Sequence, residues 1–135
     1  MADPFYLTVH IPSWLQFIAI TFLTTGIVVI LLGVLHLNKA MDHTMPSLKN
    51  TGLFFKGIYR YVRHPIYAGM LIVLMAVAWY TGSWFKASIT VVLGVIFYFK
   101  SSLEEQKLIA EYLQYQIYKD NTGRFFPKLK NIRSR

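Results

Sequence analysis

Two short blocks, some forty residues apart, hold the side chains that could do chemistry. The first is Gly57 to Gly69, GIYRYVRHPIYAG, which sets two arginines, a histidine, a proline and three tyrosines directly against an apolar run. Proline lacks an N–H but suits a first helical turn, so a helix starting near Pro65 would aim its positive end at the preceding loop. With Arg60 and Arg63 beside it, that end is a seat for a carboxylate or phosphate. The plainer reading is a membrane anchor with snorkelling arginines and interfacial tyrosines. The second block begins with Glu104-Glu105. Adjacent carboxylates point to different helix faces, so they do not form an acid/base dyad, but one of them can face inward and hold a cation or a hydroxyl. The alternative is a solvated helix carrying Lys100–Glu104 and Lys107–Glu111 pairs. The block closes on Arg124-Phe125-Phe126-Pro127, where an arginine among aromatics could hold an anionic group, a lipid headgroup included.

Other chemistries find no support. The chain has no cysteine, which removes disulfides, thiolate metal sites and a cysteine nucleophile. His10, His36, His43 and His64 lack metal-ligand spacing, so no metal is expected. There is no glycine-rich phosphate loop and no serine with a base. The formal charge of +8 and pI near 9.8 would suggest nucleic acid in a soluble protein. With 55% apolar and 15% charged residues, the basic side chains are read against a membrane instead, and no nucleic-acid partner is expected.

The elements that must position these blocks are apolar helices. Ser13 to Leu37 is 25 residues without a charged side chain, about 37 Å as a helix and enough to cross a hydrocarbon core of about 30 Å. Ile66 to Phe85 is a second uncharged run of 20, interrupted by the turn signal Thr81-Gly82-Ser83 and bordered by Trp79, Tyr80 and Trp84. Ala87 to Phe99 is a third run, of 13, which spans if Lys86 snorkels and the helix continues through Leu103. The stretch after Lys100 is amphipathic, with Leu108, Ile109, Tyr112 and Leu113 on one stripe, and ends at Asn121-Thr122-Gly123. The expectation is one all-α domain over 1–135, an integral membrane bundle with spans at about 13–37, 66–82 and 84–103 and a cytoplasmic amphipathic helix at about 104–120. Lys and Arg number five in the Asn38–Pro65 loop and eight from Lys100 onward, against none before Pro12. This places both blocks on the cytoplasmic side and the N-terminus outside.

The ordered combination is more specific than its parts. Gly57-x-Tyr59-x-x-x-Arg63-His64-Pro65-x-Tyr67-x-Gly69, an intervening helical hairpin, then Glu104-Glu105 and Thr122-Gly123-Arg124-Phe125-Phe126-Pro127, resembles the isoprenylcysteine carboxyl methyltransferase family, within the wider membrane phospholipid methyltransferases. The resemblance runs from about Leu48 to Leu129. It implies S-adenosylmethionine as cofactor, contacted by Leu53, Phe54, Tyr59, His64, Pro65, Ile66, Tyr67 and Glu104. It also implies a basic residue four before that glutamate, associated with the methyl acceptor. Here that residue is Lys100, which keeps the charge of the family's arginine but loses its planar fork. Lys100 and Arg124 are therefore the residues expected to act on the acceptor.

The implied function is methyl transfer to a lipophilic acceptor, foremost the carboxylate of an isoprenylcysteine-like substrate. A carboxylate needs no general base, and no strong base stands out. Membrane lipid surrounds the site, and a second copy of the chain is one way to complete a bundle this short. Two other readings compete. Sterol and steroid reductases carry a similar RHP-x-Tyr block and use NADPH, but Ile66 stands where their block has asparagine, and Met70 follows Gly69. A non-catalytic basic membrane adaptor would bind neither cofactor.

Overall fold

The computed structural model describes residues 8–42, 57–111 and 115–128. Leu53, Phe54, Tyr112 and Leu113 lie outside the described residues, as does the tail beyond Lys128. Among the described residues every regular element is helical: α1 (Ser13–Asp42), α2 (Pro65–Thr81), α3 (Trp84–Glu111) and α4 (Tyr115–Asn121), with a 3-10 turn at Gly57–Arg60 before α2.

Local chemistry sets the helix ends. α1 starts after Pro12, whose carbonyl accepts from the N–H groups of Leu15 and Gln16. α2 opens on Pro65 at its first turn, with His64 as N-cap residue. It stops at Gly82, whose φ of 63° is left-handed. The N–H of Ser83 reaches back to Ala78 O (3.1 Å) and that of Gly82 to Trp79 O (3.0 Å), a Schellman-type closure. A Cβ on Gly82 would stand 2.0 Å from the carbonyl oxygen of Val9, so glycine is required twice over. Ser83 Oγ then accepts from Lys86 N–H as the cap of α3. Val9 N–H donates to Gly82 O (2.8 Å), tying the segment before α1 to this tight turn.

α2 is the central element, packed along α1 and, less extensively, on α3. The α1–α2 seam is built from small residues. Ala19, Gly26 and Gly33 repeat every seven residues on α1 and are buried. A Cβ on Gly26 would lie 3.0 Å from Gly69 O, and one on Gly69 would lie 2.8 Å from Gly26 O. Such backbone contact replaces the hydrophobic drive that helices lack between themselves in lipid.

α1 and α3 are long and apolar enough to cross a membrane, whereas α2, at 17 residues, is about 26 Å long. Only 17% of the most apolar stretch of α1 and 11% of that of α3 is buried. The core helix of a soluble domain would be mostly covered, so these uncovered apolar faces fit a lipid surround.

Two boundaries differ from the sequence expectation. α1 continues past Leu37 to Asp42. α3 passes without a break through the expected boundary at 103/104, because SSLEEQKLIAE offers good helix formers and no glycine or proline. The expected helix over 104–120 is thus partly the end of α3, followed by the short α4. Leu108 and Ile109 of the expected stripe pack on the buried Tyr115–Tyr118 pair.

Candidate functional site

The site begins with a backbone join that brings the two sequence blocks together. Residues 61–64, entering α2, run beside Gly123 and Arg124, just past α4. Arg63 N–H donates to Gly123 O (2.9 Å), His64 N–H to Arg124 O (3.0 Å) and Gly123 N–H to Tyr61 O (3.3 Å). A Cβ on Gly123 would meet the carbonyl of Phe126, so the turn after the join needs glycine. Below this join, the far end of α3 supplies Glu104 and Glu105.

Glu105 is the hub. Its side chain is 1% exposed and gathers four basic groups. Oε1 accepts from Arg63 Nε (2.7 Å) and faces His64 Nε2 (2.9 Å). Oε2 accepts from Arg124 Nη2 (3.4 Å), with Lys119 Nζ at 3.8 Å. A buried carboxylate among two arginines and a lysine is ionised. Arg63 is shared between elements: its Nη1 donates to Lys119 O (2.8 Å), to Thr122 O and to Thr122 Oγ1, filling acceptors at the end of α4. Arg124 lies over the ring of Tyr98, 4.2 Å from its centroid, and donates to Ser102 Oγ (2.6 Å) and Ser101 Oγ (3.2 Å).

Glu104 faces the opposite way. Its side chain is 43% exposed, Oε1 accepts from Tyr67 O–H (2.8 Å), and Oε2 is 3.9 Å from His64 Nδ1. Tyr67 lies between two rings, His64 at 5.7 Å and Phe97 at 5.0 Å between centroids. Lys100 Nζ sits 5.6 Å from the Tyr67 centroid. Phe125 meets the edge of His64. The result is an aromatic wall with a half-exposed carboxylate, an imidazole and an ammonium around it.

The structure therefore brings His64, Tyr67, Lys100, Glu104 and Arg124 to one end of the bundle. Pro65, Ile66 and Tyr59 turn toward α1 instead. Pro65 and Ile66 pack at Gly33. Tyr59 donates its hydroxyl to Gly33 O (3.1 Å), and Tyr118 donates to Tyr59 O (2.6 Å). Burial pushes the Tyr59 phenol up to about 12 and those of Tyr115 and Tyr118 higher still, so all three remain protonated. Among the described residues no ion pair joins Lys100 to Glu104; the lysine goes to the Tyr67 ring instead. Two organising residues, Glu105 and Arg63, are absent from the expected site set. Their signal was present as doublets, Arg63-His64 and Glu104-Glu105, but adjacency alone does not say which member faces in.

Farther along the same helices lies an apolar cleft of about 380 Å³. Leu71, Met75, Trp79, Gly94 and Phe126 line it. Leu71 is one turn from Tyr67 on α2, and Gly94 one turn from Phe97 on α3.

With this geometry in place, comparison with known families is decisive. The sequence matches the phospholipid methyltransferase family over residues 14–116, about three quarters of the chain. The chain belongs to the phospholipid methyltransferase family. No curated protein and no solved structure matches it significantly. The matched region holds α1, α2, α3, the His64–Glu104–Glu105 cluster and the start of α4, so the family assignment and the site coincide. Together with the apolar helices, it makes the chain a membrane methyltransferase by family.

Proposed function

We propose that the chain is an S-adenosylmethionine-dependent methyltransferase acting on a lipophilic acceptor at the bilayer boundary. The observation that carries this reading is the meeting of His64 and Glu104, from opposite sides of a helical hairpin, at 3.9 Å around one tyrosine. The side chains there fit the cofactor's chemistry. Glu104 is an accessible carboxylate suited to ribose hydroxyls or an ammonium. The aromatic cluster of Tyr67, Phe97 and Phe125 around the site suits a sulfonium cation. When bound, the cofactor supplies a methyl group activated on sulfur.

The chain's own residues then have three tasks. Glu104, His64 and Tyr67 hold and orient the donor. The cleft beyond Tyr67 takes the hydrocarbon part of the acceptor, which enters between helices and keeps water from the reacting atoms. Lys100, at the mouth, attracts an anionic acceptor group. A carboxylate of an isoprenylcysteine-like lipid meets these conditions and arrives ionised, with no proton to remove. Leu53 and Phe54 remain proposed contacts from the loop, and Arg124 a proposed acceptor residue. The abundance of Lys and Arg near the site and in the tail favours the cytoplasmic side for it, with three spans and the N-terminus outside.

The test is cofactor titration of purified protein in lipid micelles, followed by methylation of a lipid extract with labelled S-adenosylmethionine. Saturable binding that is weakened in Tyr67→Ala and Glu104→Gln is expected. Saturable binding of NADPH in its place would assign the chain to reductase chemistry, and binding of neither would leave a membrane adaptor.

A further inference from the structure

The charges at the site stand closer to the opposite aromatic belt than a bilayer is deep. Exposed Trp14 and Trp84, with Trp79 and Tyr80 nearby, mark the far end of the bundle as one membrane surface. Phe97, which stacks on Tyr67 at the site, is thirteen residues from Trp84 along α3, about 20 Å. Lys86 and Lys100 give the same measure: they bound an uncharged run of α3 and leave its axis about 21 Å apart. A hydrocarbon core is about 30 Å deep. Snorkelling by Lys100 does not make up the difference. Side chains on a helix lean toward its N-terminus, which for α3 is the far surface. The Lys100 stem therefore leans toward the bilayer centre, and its ammonium lies 5.6 Å from the Tyr67 centroid. In a flat bilayer of ordinary depth this exposed cation would stand about 10 Å below the surface, where a charge is costly.

α1 offers a different depth. It carries no charged side chain from Trp14 to Leu35, about 32 Å, and much of that length is exposed. Gly69 packs at Ile30 and Ile66 at Gly33, so exposed Leu31 is level with Tyr67, and exposed Val34 and Leu35 lie past it. One side of the bundle thus keeps apolar surface at a height where the other carries Lys100. We propose that the bundle thins the bilayer on its α3 side only: phospholipid headgroups of the site's leaflet descend to Lys100, while lipid along α1 keeps its full depth. The partner of this surface is phospholipid with short hydrocarbon chains, whose phosphate complements the Lys100 ammonium. Bringing a headgroup-borne acceptor level with Glu104 is a use that rests on the proposed function; the thinning itself rests on the membrane setting alone.

The experiment places one spin label at a time on the full chain, which has no cysteine of its own. Ile96→Cys on α3 and Leu31→Cys on α1 replace exposed residues, so neither disturbs the packing. Depth is read in dioleoyl phosphatidylcholine vesicles from collisions with oxygen and with a water-soluble nickel chelate. The label at 96 should lie roughly 5–10 Å shallower than the label at 31. Lys100→Leu, which extends the uncharged run of α3 through Leu103, should return the label at 96 to the depth of its counterpart. Competition between brominated and plain phosphatidylcholines, read by quenching of the tryptophans, should favour dimyristoleoyl over dierucoyl chains roughly three- to tenfold. Equal depths at 96 and 31 overturn the proposal. So does a chain preference within about twofold, or one for the longer chains. A depth at 96 that Lys100→Leu leaves unchanged removes the lysine as the cause and overturns it as well. None of these readouts needs a cofactor, so a failed S-adenosylmethionine titration would sink the proposed function and leave the thinning standing.

Discussion

Arg63 joins three parts of the molecule, and replacing it tests whether the two sequence blocks are locked together as described. Its side chain is 7% exposed and makes one contact to α3, at Glu105, and others to the carbonyls that end α4. Methionine at this position keeps the length and apolar volume but leaves Glu105 without its shortest partner. Removing one member of a buried pair costs about 3–5 kcal/mol. Lysine keeps the charge but presents a single point, so it cannot serve Glu105 and the α4 carbonyls together. Losing one set of charged hydrogen bonds costs about 1.5–3 kcal/mol. The effect should be local, because the α1–α2 seam does not involve Arg63. Hydrogen exchange reads it at the Gly123 amide, which donates to Tyr61 O only while the blocks are joined. Protection there should fall roughly 150- to 5,000-fold in Arg63→Met and roughly 10- to 150-fold in Arg63→Lys, while amides of the α1–α2 seam stay unchanged. Protection in Arg63→Met within about threefold of wild type, under ~0.7 kcal/mol, would refute the account of Arg63 as the tie.

Three further outcomes follow from the packing. Gly69→Leu should destabilise the bundle by about 1–3 kcal/mol or more in detergent unfolding, since its Cβ would press on the carbonyl of Gly26 and on Ile30. Gly94→Ala should be neutral or stabilising by up to about 1 kcal/mol, because the nearest atom to a Cβ there, Leu71 Cδ2, is at an ordinary 3.6 Å and alanine favours helix. Tyr118→Phe removes a buried 2.6 Å bond to Tyr59 O and should cost about 0.5–1.5 kcal/mol, unless the carbonyl finds water. The buried phenols of Tyr59, Tyr115 and Tyr118 have folded values raised by burial. Their contribution to stability is full below the unfolded value of about 10 and is lost as pH rises through the folded ones. Tyrosinate absorbance should therefore show the Tyr59, Tyr115 and Tyr118 phenols among the last to titrate, appearing together with alkaline unfolding.

The helices were legible because lipid-exposed segments announce themselves by long runs without charge. The turn at Thr81-Gly82-Ser83 was equally plain, since only glycine fits its left-handed cap. The start of α2 at the proline followed from the missing N–H. The end of α3 was misplaced because a change in polarity was read as a change of element; a helix can leave an apolar surround without breaking. The pairing of residues 61–64 with Gly123 and Arg124 left no periodic signal, as it joins two irregular segments across sixty residues. Of the residues expected at the site, His64, Tyr67 and Glu104 lie together. The sequence carried no sign that Tyr59, Pro65 and Ile66 face α1, a consequence of the close approach at Gly33.

The glutamate doublet divides two jobs that a single carboxylate could not perform together. A charge buried beside a membrane is costly, and an apolar side chain of similar volume often gives equal or better stability. Stability alone therefore explains poorly why Glu105 sits among Arg63, His64, Lys119 and Arg124. Orientation explains it better, because the same carboxylate joins segments from both sides of the hairpin and turns His64 in one sense. Having spent its acceptor capacity inward, Glu105 has none left for a ligand. Glu104, one residue and about 100° around the helix, has one oxygen on Tyr67 and the other uncommitted. Exchanging the two roles would require α3 to rotate by that angle, which the Tyr67–Phe97 stack resists. A variant that disturbs the stack, such as Phe97→Ala, should therefore impair ligand binding through Glu104 while leaving the Glu105 join protected from exchange.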